Sequence, residues 1–166
     1  MYVYNENNII RKHLTKEQAL QKLRHYCAYQ ERSHTEVKEK LYSFRLRKDE
    51  VEELISRLIE DDYLNEERFA KLFAGGRFRI KKWGRIKIIS ELKLKKVSAY
   101  NIKTGLKEID EAEYANALAD LAIKKWAALK GEQYIVRQVK TRNYLLQKGY
   151  EPNLINNEIA GFLKKK

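Results

Sequence analysis

Leu41-Tyr42-Ser43-Phe44-Arg45-Leu46-Arg47-Lys48-Asp49-Glu50-Val51-Glu52-Glu53-Leu54-Ile55-Ser56-Arg57-Leu58 is the stretch from which the fold can be read. Val51, Ile55 and Leu58 stand at i, i+4 and i+7, one face of a helix. Leu41 belongs to the helix before it, and Leu46 plugs the turn between the two. Moving 51 residues on from Leu41, Leu46, Val51, Ile55 and Leu58 reaches Leu92, Val97, Ile102, Leu106 and Ile109. A further 53 residues reaches Leu145, Tyr150, Ile155, Ile159 and Phe162. All fifteen positions are apolar or aromatic, in a chain that is 43% hydrophobic overall. One hydrophobic template is thus written three times, the mark of a tandem array whose units bury their faces against their neighbours.

Helix punctuation surrounds the template. Thr15 with Gln18 and Ser33 with Glu36 form capping boxes, in which each end residue satisfies a free backbone N–H near a helix start. Asp110 with Glu113 follows the same logic with a carboxylate cap. Pro152 suits a first helical turn, where its missing N–H costs nothing, and Gly131 and Gly149 suit helix ends that need a positive φ. Nine helices are predicted, at about 15–30, 33–44, 48–61, 65–80, 84–96, 98–109, 111–130, 132–148 and 151–163. The fold class expected is all-α, with three tandem three-helix repeats forming an elongated, curved array. The expected division is an N-terminal segment 1–14, then repeats at 15–62, 63–110 and 111–166, the last ending in the basic tail Lys164-Lys165-Lys166. The Gly75-Gly76 pair, inside helical sequence, is read as a point of close helix packing or a kink.

Bulk properties narrow the function classes. The chain has 166 residues, with 35 Lys and Arg against 23 Asp and Glu, for a formal charge of +12. Such a balance favours polyanionic partners: nucleic acid, an anionic membrane surface or an acidic protein. No stretch approaches the ~18 consecutive apolar residues of a membrane span, and Met1-Tyr2-Val3-Tyr4-Asn5-Glu6-Asn7-Asn8 does not read as a secretory signal. A single cysteine, Cys27, excludes an intramolecular disulfide and fits a reducing, cytoplasmic compartment. Cys27 is read as a small core residue of the first helix in preference to a reactive thiol. His13, His25 and His34 form no metal-site spacing with Cys27 or a carboxylate, and no glycine loop cradles a phosphate. No catalytic residue, metal site or cofactor is expected.

Charge is segregated along the chain. Asp49 to Glu67 holds nine acids and one base, Arg57, whereas Arg77 to Lys96 holds nine bases and one acid, Glu91. Asp49, Glu50, Glu52 and Glu53 fall near the start of a helix, where carboxylates favour the dipole; protein docking is the other use for them. In the basic stretch, Ile88 and Leu92 should face the core, leaving Lys87, Ser90, Glu91 and Leu94 outward beside Trp83. The stretch is either a docking face for phosphates or acidic protein with Trp83 as an aromatic anchor, or a solvated helix whose tryptophan is core.

The chain resembles the RecX regulatory proteins from about Ala19 to Phe162. Ser33-His34-Thr35-Glu36-Val37-Lys38-Glu39-Lys40-Leu41 is similar to that family's Ser-x-x-Glu-φ-x-x-Lys-Leu, where φ is apolar. Asp62-Tyr63-Leu64-Asn65-Glu66-Glu67-Arg68-Phe69-Ala70 is similar to the start of its second repeat. Trp83-Gly84-Arg85-Ile86 through Glu91-Leu92 resembles its Gly-x-x-Arg-Ile-x-x-Glu-Leu region, with the glycine-to-arginine gap shortened. Lys95-Lys96-Val97 departs from a commonly expected Lys-Gly-Val turn.

The resemblance implies a non-enzymatic regulator, without a cofactor, that binds filaments of the RecA recombinase on single-stranded DNA and modulates, usually inhibits, recombination and the associated ATP hydrolysis. Arg77, Arg79, Lys81, Lys82, Trp83, Arg85 and Lys87 are the expected contact set. A monomer with no membrane attachment is expected, with direct binding to single- or double-stranded DNA as a further expectation. The competing functions are an autonomous DNA- or RNA-binding module, since three-helix units can resemble helix-turn-helix readers, and a helical scaffold that contacts only proteins.

Overall fold

A computed structural model describes residues 14–162. The expectations for the N-terminal segment, for His13 and for the Lys164-Lys165-Lys166 tail lie outside the described residues. Among the described residues there are nine α-helices and no strand: α1 (Lys16–Tyr29), α2 (His34–Ser43), α3 (Lys48–Glu60), α4 (Glu66–Lys81), α5 (Arg85–Leu94), α6 (Ala99–Leu106), α7 (Glu111–Ala128), α8 (Tyr134–Lys148) and α9 (Pro152–Gly161). The starts follow the caps. Thr15 and Ser33 close capping boxes on Gln18 and Glu36, the Asp110 side chain accepts from the Glu113 amide, and Pro152 opens α9. Among the described residues, no helix is long and apolar enough to cross a membrane.

The helices gather into two compact units, one running to Asn65 and the other beginning at Glu66. In the first, α1, α2 and α3 close over Leu23, Val37, Leu41, Val51, Leu54 and Leu58, with Cys27 buried at the edge. His25 points outward, so it diverges from Cys27. In the second unit, α4 to α9 share a continuous core through Phe78, Ile88, Leu92, Tyr114, Leu145 and Tyr150. The array is therefore all-α and built from three-helix repeats. Twelve of the fifteen template residues are fully buried, and Ile55, Leu106 and Phe162 are half-buried against the same cores. Each buried leucine or isoleucine stabilises its repeat by about 1.5–3 kcal/mol.

The template omits one core position. Leu54 is buried in α3, and its counterpart in α6 is Gly105. A Cβ on Gly105 would lie 2.7 Å from the Ala70 carbonyl oxygen, so here the α4 and α6 backbones nearly touch. A hydrophobic-pattern search passes over a glycine that serves the core by being small. The backbone approach seen at Gly105 is not repeated at Gly75-Gly76. Helix α4 runs unbroken through the pair, a Cβ on Gly75 would meet first the Arg79 guanidinium of its own helix, and one on Gly76 would meet nothing within 4 Å.

The turn before the third helix of each repeat uses one backbone conformation three times. Arg45, Lys96 and Gly149 occupy equivalent places, immediately before the buried turn plugs Leu46, Val97 and Tyr150, with φ of 63°, 58° and 91°. The left-handed region suits glycine because a Cβ there crowds the neighbouring carbonyl. Two of the three turns tolerate a long basic side chain at that cost, which accounts for Lys96 standing where a glycine was expected.

The acidic run is largely absorbed within the first unit. Asp49 and Glu50 lie in the first turn of α3, as the dipole argument requires. Glu52 and Glu53 instead reach neighbouring helices, pairing with Lys38 of α2 and Lys16 of α1, and Asp61 pairs with Arg24. These exposed pairs add little stability individually. The unit as a whole is nearly balanced in charge, with 10 basic and 11 acidic residues between positions 14 and 65.

Candidate nucleoprotein-docking site

Positive charge is concentrated in the second unit, where 20 basic residues face 11 acidic ones between positions 66 and 162. Its densest part surrounds the link from α4 to α5. Lys82, with φ of 53°, ends α4 and turns the chain. Trp83 then drops half-buried onto the core, and Gly84 caps α5. Arg77, one turn back on α4, places its guanidinium 5.2 Å from the Trp83 ring centre and 4.9 Å from that of Phe73. Lys87, in the first turn of α5, sets its ammonium 4.7 Å from the Trp83 ring centre. Trp83 is thus part of the core on one side, and on the other it carries two cations, each held by the quadrupole of the ring.

The seven residues expected to act together fall into distinct places. Arg77, Trp83 and Lys87 form the cluster just described. Arg79 and Lys82 instead line a groove of about 420 Å³ between α4 and α7, together with Phe78 of α4 and Glu113, Asp120 and Leu121 of α7. Lys81 is exposed at the end of α4, where its carbonyl accepts from Lys148 Nζ at 3.3 Å. Among the described residues, Arg85 alone of the six basic members makes ion pairs, to Glu111 at 2.6 Å and Glu151 at 3.7 Å. Its guanidinium also lies 4.1 Å from the Tyr114 ring centre. Burial opposes the Arg85 charge, and the Glu111 and Glu151 carboxylates more than restore it, so its pKa stands above its ordinary value.

Arg85 belongs to a polar junction that fixes the surface in position. The Tyr114 hydroxyl donates to Glu151 Oε2 at 2.6 Å and accepts from the Arg85 amide at 3.0 Å. Burial, reinforced by that carboxylate, raises the Tyr114 pKa well above the ordinary phenol range. Beside it, the Gly84 amide donates to the Lys148 carbonyl and the Ile86 amide to the Gly149 carbonyl. Three of the N–H groups at the start of α5, where an anion could otherwise sit, are thus engaged: two by the end of α8 and that of Arg85 by Tyr114. The cations gathered at this surface are those of the side chains Arg77, Lys81, Lys87 and Lys148.

Lys148 was not anticipated, because it lies more than sixty residues from Lys81 in the chain. Tyr114, Glu111 and Glu151 were missed because they too are remote in the chain from the residue they meet, Tyr114 by 29 positions from Arg85. The one local hint was a carboxylate directly before Pro152. Among the described residues, no group of His, Cys, Asp and Glu is arranged to hold a metal ion.

Known proteins supply an independent comparison. The models of the second and third three-helix domains of RecX match residues 65–106 and 111–157. The chain is 32% identical over 131 residues to the regulatory protein RecX of Chlorobium limicola, covering 78% of this chain and 80% of that one. It is 35% identical over 99 residues to the regulatory protein RecX of Lactobacillus gasseri, covering 60% of this chain and 36% of that one. The chain thus spans about a third of that second relative. The fold is similar to the crystal structure of RecX from Lactobacillus salivarius, with a TM-score of 0.79, 23% identity, and coverage of 88% and 95% of the two chains.

Proposed function

The chain belongs to the RecX family, and on that footing we propose that it is a non-enzymatic, cytoplasmic regulator of the RecA recombinase. It binds the recombinase filament on single-stranded DNA and lowers recombination and filament ATP hydrolysis. The observation that supports this most directly is the cation–aromatic cluster of Arg77, Trp83 and Lys87 in the unit that holds the excess positive charge. A nucleoprotein filament presents both phosphates and protein, and this surface offers counterparts to both: cations for long-range attraction and an indole packed on the core for short-range contact.

The contact set is Arg77, Arg79, Lys81, Lys82, Trp83 and Lys87, with Arg85 holding the surface in shape. The repeats divide at 15–62, 63–110 and 111–166, and the chain acts as a monomer. One assay tests the function: binding of the full chain to single-stranded DNA alone, to recombinase alone and to the assembled filament, with filament ATP hydrolysis measured in parallel. The filament should bind most tightly, and its ATP hydrolysis should fall. Equal affinity for naked DNA and filament, with a steep salt dependence and no effect on hydrolysis, would favour an autonomous nucleic-acid-binding module instead.

A further inference from the structure

We propose that the outer face of α8 is a second docking surface, for an acidic amphipathic protein segment. Resting on the function proposed above, the segment belongs to the recombinase subunit rather than to its DNA. Ile135, Val139 and Leu146 are 60%, 50% and 38% exposed, and they stand at i, i+4 and i+11 of α8. That spacing puts them on one line along the helix, with Arg142 at i+7 between them. The buried face of α8 is a different one, carrying Thr141 and Leu145. A solvent-facing aliphatic line on a helix is what an unpartnered monomer avoids.

Charge identifies the occupant. Tyr134 to Lys148 contains Arg137, Lys140, Arg142 and Lys148 and no carboxylate. Arg137 is engaged by the Trp126 carbonyl and Lys140 by Glu132. Arg142 bonds only the neutral Asn156 side chain, at 2.8 Å, so its charge is uncompensated among the described residues. Val139, Arg142 and Asn156 also line a groove of about 450 Å³ between α8 and α9, wide enough to admit a side chain from a partner. The complement is an apolar ridge flanked by carboxylates, as an amphipathic helix presents it. Two copies of this chain would instead oppose like charges. Single-stranded nucleic acid is bound by stacking its bases on aromatic rings, and this line is aliphatic.

The test uses the full chain with Ile135→Asp, Val139→Asp and Leu146→Asp made singly, and Val139→Ile as the conservative control. Affinity for recombinase without DNA should fall about tenfold or more in the aspartate variants, as for loss of an interface anchor. Affinity for single-stranded DNA should be unaltered, as should the circular dichroism spectrum. A photo-crosslinking residue at position 139 gives a second measurement, which should label the recombinase subunit. Unchanged recombinase affinity, or a crosslink to DNA, to a second copy of the chain or to anionic vesicles, overturns the proposal. If the wild-type chain binds neither recombinase nor filament, the function proposed above fails with it; if the wild type binds and the variants bind equally, only the α8 surface fails.

Discussion

Gly84 lies directly against Gly149, so close that a Cβ built on Gly84 would overlap the Gly149 carbonyl. The contact seats the start of α5 on the end of α8, and Trp83 with its two cations sits one residue away. The glycine at 149 is held from the other side as well, since its own Cβ would press on the Lys87 backbone and Cβ. The shape of the surface around Trp83 therefore depends on two positions with no side chain.

Gly84→Ala and Gly149→Ala should each destabilise the protein by about 2–4 kcal/mol, through overpacking and, at 149, a positive φ. Gly76→Ala meets open space in the middle of α4 and should stabilise by about 0.5–1 kcal/mol. Urea denaturation of the three variants checks the contrast, and equal behaviour at 76 and 84 would contradict it.

Lys96 holds a left-handed conformation that its repeat-mate Gly149 adopts without a Cβ. Lys96→Gly should therefore raise stability, by about 0.5–1 kcal/mol once the greater freedom of the unfolded glycine is counted. A lowered midpoint for this exposed substitution would mean that the lysine side chain contributes a contact of its own.

Alkaline stability should be set partly by Tyr114 and Tyr150. Burial pushes Tyr150 up to about 12, with the Glu151 carboxylate adding to it, and burial and the hydrogen bond to Glu151 raise Tyr114 further. Both folded values exceed the unfolded value of about 10, so their stabilising effect is complete below pH ~10 and is lost as pH climbs past it. Each tyrosine should contribute a decline of about 1.4 kcal/mol per pH unit in that window. Tyr150→Phe should flatten the decline without cost at neutral pH, because the Tyr150 hydroxyl has no hydrogen-bond partner among the described residues. Tyr114→Phe should cost about 1–2 kcal/mol at neutral pH, since Glu151 and the Arg85 amide each lose a bond. Unfolding curves at neutral pH and between pH 10 and 11.5 separate the two.

Charge variants of the basic stretch should divide by geometry. Arg77→Glu with Lys87→Glu should weaken filament binding and flatten its dependence on salt while leaving the unfolding midpoint nearly unchanged. Arg85→Ala should lower stability by about 1–3 kcal/mol, because it leaves the Glu151 carboxylate with its Tyr114 hydrogen bond but no cation in a half-buried junction. In a Trp126→Phe background, Trp83 fluorescence should change on filament binding. A binding-silent Trp83 would move the contact elsewhere on the unit.

The repeat of Leu41, Leu46, Val51, Ile55 and Leu58, together with caps such as Ser33 and Asp110, determined the number, limits and buried faces of the helices. These are local matters: a helix start needs a partner three residues away, and a core stripe needs a spacing of three or four, so both are legible along the chain. Which charges are free could not be read that way. Arg85 and Lys87 are two residues apart with the same sign, yet one is tied to Glu111 and Glu151 and the other rests on an indole. Only the packing of α7 and the α8–α9 turn against the start of α5 made that division, because an ion pair depends on distance in space and not on separation along the chain.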